Sequence, residues 1–263
     1  MDAEQRGHGS AAPPPAILRG AHILRIIADR NGAPLTATAA AKALAIPRSS
    51  AVNICVALEE VGFVRSGPLG YSLGPALGEL GQAYVNTFAP VRHFTEFCQT
   101  RRPPSFTVQL GTLDVSDVVY LARHDGTDLV TIASRVGGRL PANCTGLGKA
   151  MLGSLDDAQL ERVFEGWDGP LVTLTPRSIR DFAELRNEVR KVAELGYAID
   201  DEETTPGVVC VAVPLARRQD LSSVYAVSGS ILKADATEAR ISSAVRELEE
   251  LARATSGRGD ELE

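Results

Sequence analysis

The chain has 263 residues, 44% of them hydrophobic, enough for two modest domains each with its own core. A net charge of −6 argues against a nucleic-acid binder until its distribution is read: residues 1–75 carry seven Lys or Arg against five Asp or Glu, and the remainder carries 20 against 28. Four scattered cysteines with no Cys-x-x-Cys pair exclude a zinc ribbon and a small disulfide scaffold, and no run approaches the roughly 20 consecutive apolar residues of a membrane span, so a cytoplasmic chain with reduced thiols is expected.

Residues 1–15 are rich in Gly, Ala, Pro and Ser and end in three prolines, a composition that buries no core and predicts a disordered tail. Residues 16–75 predict a winged helix-turn-helix DNA-binding domain. Ile17, Ala21, Leu24 and Ala28, with Ile27 beside them, give a supporting helix. Leu35, Ala40, Ala43 and Leu44 give a second, Ala-rich helix with Thr36 as its N-cap. Ala45-Ile46-Pro47 makes the turn, and Pro47, whose missing N–H is no loss at a helix's first position, opens a third helix running to about Val61. There Ala51, Ile54, Leu58 and Val61 form the buried stripe, with Arg48, Ser49, Val52 and Asn53 opposite. Gly62 closes the helix, Phe63-Val64-Arg65 and Tyr71-Ser72-Leu73 read as strands, and Gly67-Pro68-Leu69-Gly70 as a four-residue loop. The candidate DNA contacts are Arg48, Ser49, Ser50, Val52, Asn53 and, on the wing, Arg65. Helical hairpins also occur in enzymes, but the immediate hairpin wing and the acid-free reading face favour DNA. The face lacks a strong basic patch, so one head is expected to bind double-stranded DNA weakly and to need a second on a dimer.

Leu77, Leu80, Ala83 and Tyr84 predict a linker helix, assigned to residues 76–92. A second domain over 93–255 and a tail over 256–263 follow. Strands are predicted at Thr107–Leu110, Asp117–Arg123, Leu129–Ser134, Tyr197–Asp200, Val208–Pro214 and Val224–Ser228, and helices from Gly146, over Asp157–Phe164 and Ile179–Leu195, and from Glu238 to Thr255. Strands and helices without strict alternation predict an α+β domain on a mainly antiparallel sheet, so the whole is a multidomain α+β protein.

Four segments here could carry chemistry. Gly146 and Gly148 stand before a helix whose N-terminal N–H groups favour a carboxylate, whereas Asn143 and Ala150 break the pattern of a phosphate loop. Asp200-Asp201-Glu202-Glu203 could hold a hard cation, although such a run is usually a solvated loop. Cys210 lies in a strand apolar on both faces and reads as a small buried residue. Ser228, at a predicted strand end, could donate to a carboxylate or cap a turn. An alternative reading is an enzyme acting on small carboxylates through Cys144, Cys210 or the 200–203 acids. Its weakness is the supply of partners, since the histidines are only His8, His22, His93 and His124. No cofactor and no metal site is expected.

From Leu18 to about Leu251 the chain resembles the isocitrate lyase regulator (IclR) family of bacterial transcription factors. The resemblance rests on Ile46-Pro47-Arg48-Ser49-Ser50, on Leu58 through Val64, on Tyr71 through Gly74, on Leu140-Pro141 with Thr145 through Ala150, on Leu174 through Arg177, and on Gly196 through Glu203 leading to Pro206 through Ala212. It implies a GAF-like effector domain binding a small organic acid, and a dimer or dimer of dimers on a palindromic operator. It also implies a pocket in which Gly146 and Leu147 meet the carboxylate, Asp200, Cys210 and Ser228 complete the polar anchors, and Leu129, Ile132 and Leu140 form an apolar wall. Asn143-Cys144 is similar to the version of this loop in regulators of aromatic-acid breakdown. Where family members often carry a basic pair, this chain has Val52-Asn53; Asn can bond adenine bidentately and Val can touch a thymine methyl, which alters base preference. Leu147 occupies an often small position and reshapes the pocket.

Overall fold

The computed structural model describes residues 15–30, 32–101, 104–128, 134–167, 169–216 and 224–257. The chain divides into two compact units, Met1–Tyr84 and Val85–Glu263.

The first unit contains α1 (Pro15–Ala28), α2 (Ala37–Leu44), α3 (Arg48–Glu60) and a hairpin of β1 (Val64–Gly67) and β2 (Gly70–Leu73). Thr36 caps α2 by accepting from the Ala39 N–H at 3.2 Å. Pro47 stands one residue earlier than predicted, as the N-cap of α3. Gly62 follows the helix at φ +73°. The wing loop is tighter than the sequence pattern predicts, because Gly67 pairs with Gly70 and only Pro68 and Leu69 turn.

Two of the predicted stripes are rotated. On α1 the buried residues are Gly20, Ile23 and Ile27, while Ile17, Ala21 and Ala28 are exposed. On α3 the core residues are Ala51 and Cys55, with Ile54 and Leu58 half-buried and Val61 exposed. The reason is close approach of the two helices: a Cβ on Gly20 would lie 3.7 Å from Leu58 and 3.8 Å from Ile54. A stripe drawn through large apolar residues misses a glycine that seats the neighbouring helix's Ile54 and Leu58 and a cysteine buried in the core. Ala43 on α2 is likewise exposed, and Ala41 is buried in its place beside the expected Ala40.

The helix α4 (Ala76–Thr87) stops short of Val91, and α5 (Ala89–Thr100), absent from the sequence prediction, begins beyond Phe88. Phe88 is extended and Pro90 sits in the first turn of α5, where a proline is tolerated but would break an uninterrupted helix.

The second unit is built on one antiparallel six-stranded sheet in the order β5-β4-β3-β8-β7-β6. Its strands are β3 (Thr107–Asp114), β4 (Asp117–His124), β5 (Arg139–Pro141), β6 (Ala198–Asp201), β7 (Val208–Pro214) and β8 (Tyr225–Leu232). Strand alternation sends Val108, Leu110, Val211, Val213 and Val227 to a core shared with α5 and α9 (Glu238–Ser256). The other face packs Ala198, Ala212 and Ala226 with α6 (Gly146–Gly153), α7 (Asp157–Val163) and α8 (Phe182–Leu195). The small residues of this face leave room for α6 against the sheet.

Three further differences have local causes. β8 runs through Gly229 instead of ending at Ser228, because Gly229 pairs with Val108 and Val211 in the neighbouring strands; a Cβ there would come within 2.3 Å of the Phe106 ring. α8 starts at Phe182, not Ile179, because Asp181 caps it through the Glu184 N–H at 2.8 Å. β5 is too short to show a pattern. Residues 1–14 of the predicted tail, 258–263 of that over 256–263 and 129–133 of the predicted Leu129–Ser134 strand lie outside the described residues, while Pro15, read as the end of the tail, opens α1. Among the described residues no helix is long and apolar enough to cross a membrane.

Candidate functional site

The reading helix is positioned from both ends. Ala45 takes the left-handed conformation at φ +51° and Ile46 N–H donates to the Ala41 carbonyl at 3.0 Å, which fixes the turn before α3. At the other end Glu59 Oε1 accepts from the Ser66 N–H at 2.8 Å and from the Ser66 hydroxyl at 2.6 Å, bonds that hold the Glu59 carboxyl below its usual range and tie the wing to the helix. Nothing in the sequence pattern marks that contact. A bridge from Leu35 to Tyr71 joins the segment before α2 to the wing. Of the predicted DNA contacts, Arg48, Ser49, Asn53 and Arg65 are exposed, and Ser50 and Val52 are half-buried.

In the second unit the site grows from the start of α6. Thr145 caps this helix by accepting from the Gly148 N–H at 2.9 Å. The N–H groups of Gly146 and Leu147 precede any intrahelical acceptor and meet no protein acceptor among the described residues. The glycines also serve close packing. A Cβ on Gly148 would lie 2.2 Å from the Ala142 carbonyl oxygen, and one on Gly146 would lie 3.3 Å from that of Cys210.

Opposite α6, the sheet register collects polar side chains. Asp200 pairs with Cys210 and Cys210 with Ser230, while Ala212 pairs with Ser228 and Ser228 with Gln109. Together with Thr204, Thr205 and Val208 after β6, and with Tyr120 and Ser134, these elements enclose a cavity of about 360 Å³, its open mouth included. Five of the predicted effector residues, Gly146, Leu147, Asp200, Cys210 and Ser228, line it. Leu140 does not: it sits on β5 opposite Val118 and packs into the core on the α6 side. Leu129 and Ile132 lie outside the described residues. Sequence reasoning missed Gln109, Tyr120, Ser134, Thr145, Thr204, Thr205, Val208 and Ser230. Ser230 had a signal, since it follows Ser228 at strand spacing once β8 is carried through Gly229. Gln109 had none.

The four acids after β6 do not form a uniform solvated loop. Asp201 and Glu202 turn outward, where Asp201 meets Arg177 at 2.5 Å and Lys233, and Glu202 lies 3.7 Å from Arg177. Asp200 and Glu203 are buried. Asp200 Oδ1 accepts from the N–H groups of Glu203 and Thr204 at 2.7 and 3.2 Å, yet burial pushes its carboxyl up. Glu203 accepts from Lys149, which is buried completely and also donates to the Ile199 carbonyl at 2.5 Å. Burial raises the Glu203 carboxyl to about 7.

The enzymatic alternative meets thiols held in the wrong state. Burial pushes both Cys144 and Cys210 up, toward the protonated thiol. Cys210 Sγ lies 3.4 Å from Ser230 Oγ, and Cys144 Sγ lies 3.1 Å from the Val172 carbonyl. Asn143 donates to the Val172 and Ile179 carbonyls at 2.8 and 3.0 Å. Neither Asn143 nor Cys144 lines the cavity; the pair fastens the 170–180 loop instead. Among the described residues no group of three or more His, Cys, Asp or Glu is placed to hold a metal ion.

A winged helix-turn-helix joined to an α+β unit with an open-mouthed cavity of mixed polar and apolar lining defines a two-domain transcriptional regulator. Residues 16–68 match the IclR helix-turn-helix domain, and residues 99–257 match the C-terminal domain of bacterial transcriptional regulators of the IclR type. The transcriptional regulator XynR of Escherichia coli is 28% identical over 87% of this chain and 90% of its own length. An IclR transcriptional regulator from Alicyclobacillus acidocaldarius superposes with a TM-score of 0.79 at 27% identity, covering 93% of this chain and 98% of that one. An IclR homologue from Microbacterium hydrocarbonoxydans, solved in complex with 4-hydroxybenzoate, shares the fold with a TM-score of 0.73 at 23% identity over 92% of this chain and 97% of its own. The chain belongs to the IclR family of DNA-binding transcriptional regulators.

Proposed function

We propose that this regulator binds a palindromic operator as a dimer or dimer of dimers, with an affinity set by a small carboxylate seated at the start of α6. The observation that carries the effector half is the pair of N–H groups on Gly146 and Leu147, without protein acceptors among the described residues, at the wall of an open-mouthed cavity. Asp200, Cys210 and Ser228 are the other effector contacts in this reading, and an aromatic acid is one member of the class, as the 4-hydroxybenzoate complex of the Microbacterium homologue suggests for that fold.

On the DNA side, Arg48, Ser49, Ser50, Val52 and Asn53 contact the major groove and Arg65 the backbone beside it. Self-association supplies the second head that this modestly charged face requires, and Ile17, Leu18, Leu80 and Tyr84 of the first unit are exposed apolar residues able to support it. The working division of the chain is a reading domain over 16–75, a linker over 76–92 and an effector domain over 93–255. The site of action is the cytoplasm, and the chain regulates rather than catalyses. Effector binding alters operator affinity to the extent that the ligand favours one of two conformations.

The test is an electrophoretic shift against the DNA upstream of the chain's own gene at several salt concentrations, repeated with a panel of small carboxylates. Salt-sensitive binding to one fragment, changed by at least one acid, is the expected result. Binding that no acid changes removes the effector half, and absence of a specific shift on that fragment and across a genomic library removes the DNA half.

A further inference from the structure

Charge is supplied around the cavity in a lopsided way. Among the described residues that line it there is no Lys, Arg or His. The nearby cations face elsewhere: Arg177 and Lys233 are turned to Asp201 outside, Arg123 is held by Asp125 and the Ser134 carbonyl, and Lys149 lies behind the wall on Glu203 and the Ile199 carbonyl. One buried ammonium therefore stands against two buried carboxyls, Asp200 and Glu203, with Glu188 of α8 a third carboxyl 3.8 Å from the same nitrogen. The cluster is already short of donors, because Glu203 Oε2 is buried and has no hydrogen-bond partner among the described residues. The other titratable groups near Asp200 include the Cys144 and Cys210 thiols and the Tyr120 phenol, which burial keeps neutral; they can donate hydrogen bonds and cannot balance a charge.

Such a cavity has provision for one ligand charge and no more. A carboxylate at Gly146 and Leu147 uses donors that meet no protein acceptor among the described residues and that a helix dipole backs. A second ligand charge would be desolvated beside Asp200, with no cation free to meet it. A hydroxyl in the same place would instead be a further donor to the Asp200 carboxyl, which already accepts from the Glu203 and Thr204 N–H groups and from the Thr204 and Cys210 side chains, and would accept from Ser228, Ser230 or Gln109.

We propose that the cavity selects monocarboxylates carrying a hydroxyl or other hydrogen-bond donor and excludes dicarboxylates. This rests on the reading that a carboxylate binds at the start of α6, and it deepens that reading by naming the charge and the second functional group of the effector.

The experiment is isothermal titration of the full chain at mildly alkaline pH with two matched pairs, 4-hydroxybenzoate against terephthalate and 4-hydroxybutanoate against succinate. In any pair that binds, the hydroxy acid is expected to bind at least about ten-fold more tightly than its dicarboxylate counterpart. Asp200→Asn, checked for folding by its thermal melt, is expected to narrow that gap by weakening the hydroxy acid and admitting the dicarboxylate. A dicarboxylate that binds wild type as tightly as its hydroxy partner overturns the inference and leaves the carboxylate reading intact. Absence of binding by all four acids at millimolar concentration overturns both.

Discussion

Two helix starts carry the proposed functions of this protein, and they differ in what surrounds them. The first turn of α3 leaves Arg48 and Ser49 exposed, whereas Gly146 through Leu152 of α6 are buried to the last residue. The reading face therefore contributes almost nothing to its own core. The α6 face is core and pocket at once, so its residues answer to packing before they answer to a ligand. That difference predicts that binding and stability separate at α3 and move together at α6.

The largest effect is expected where α6 has no slack. Gly148→Ala places a methyl group 2.2 Å from the Ala142 carbonyl oxygen, and the backbone must move to admit it. A loss of about 3 kcal/mol, read from urea denaturation of the second unit, is expected. A variant as stable as wild type would show that the start of α6 is looser than its packing.

Next comes the buried pair behind the pocket. Burial raises Glu203 from the ordinary value of 4.5 to about 7, so the folded state binds more protons than the unfolded state between those values. Its contribution to stability is full below about pH 4.5 and is lost as pH rises through about 7, a change of no more than about 3 kcal/mol. Urea midpoints of wild type and Glu203→Gln across that range should therefore diverge, with the wild type losing stability relative to the variant as pH rises. Parallel curves would mean that Lys149 neutralises the carboxylate fully.

At α3 the expectation reverses. Arg48→Ala together with Asn53→Ala should weaken operator binding by about 2 kcal/mol or more in a shift assay, while the melting curve of the first unit moves by less than about 0.5 kcal/mol. Equal losses in both measurements would remove the separation. The smallest effect is expected from Ser66→Ala, which releases the wing from Glu59: operator affinity should fall less than in the double variant, and the amides of β1 should exchange hydrogen faster.

How much was legible depended on whether a residue's role was set by its neighbours in sequence. The Thr36 cap, the Gly62 stop and the whole of β7 from Val208 to Pro214 follow from local chemistry and strand pattern, and the structure agrees with each. Helix α5 did not follow, because Pro90 at its start reads equally well as the end of α4. At the pocket, the Gly-rich helix start was legible as an anion anchor and Ser228 as a carboxylate donor or turn cap, and the family resemblance added Asp200 and Cys210. Leu140 was misplaced because an apolar residue on a three-residue strand carries no sign of which side it serves.

By itself the sequence determined two domains, a winged reading head, an antiparallel α+β partner and a family, since these rest on short-range periodicity, caps and ordered motifs. Only the tertiary structure decided that Gly20 rather than Ile17 faces α3, that Gln109, Ser134 and Ser230 share a cavity with Asp200, and that of four consecutive acids two face solvent and two are buried around Lys149. The physical reason is common to all three. Cross-strand register and the close approach of backbones bring together residues far apart in sequence, and no local pattern records a partner that folding alone supplies.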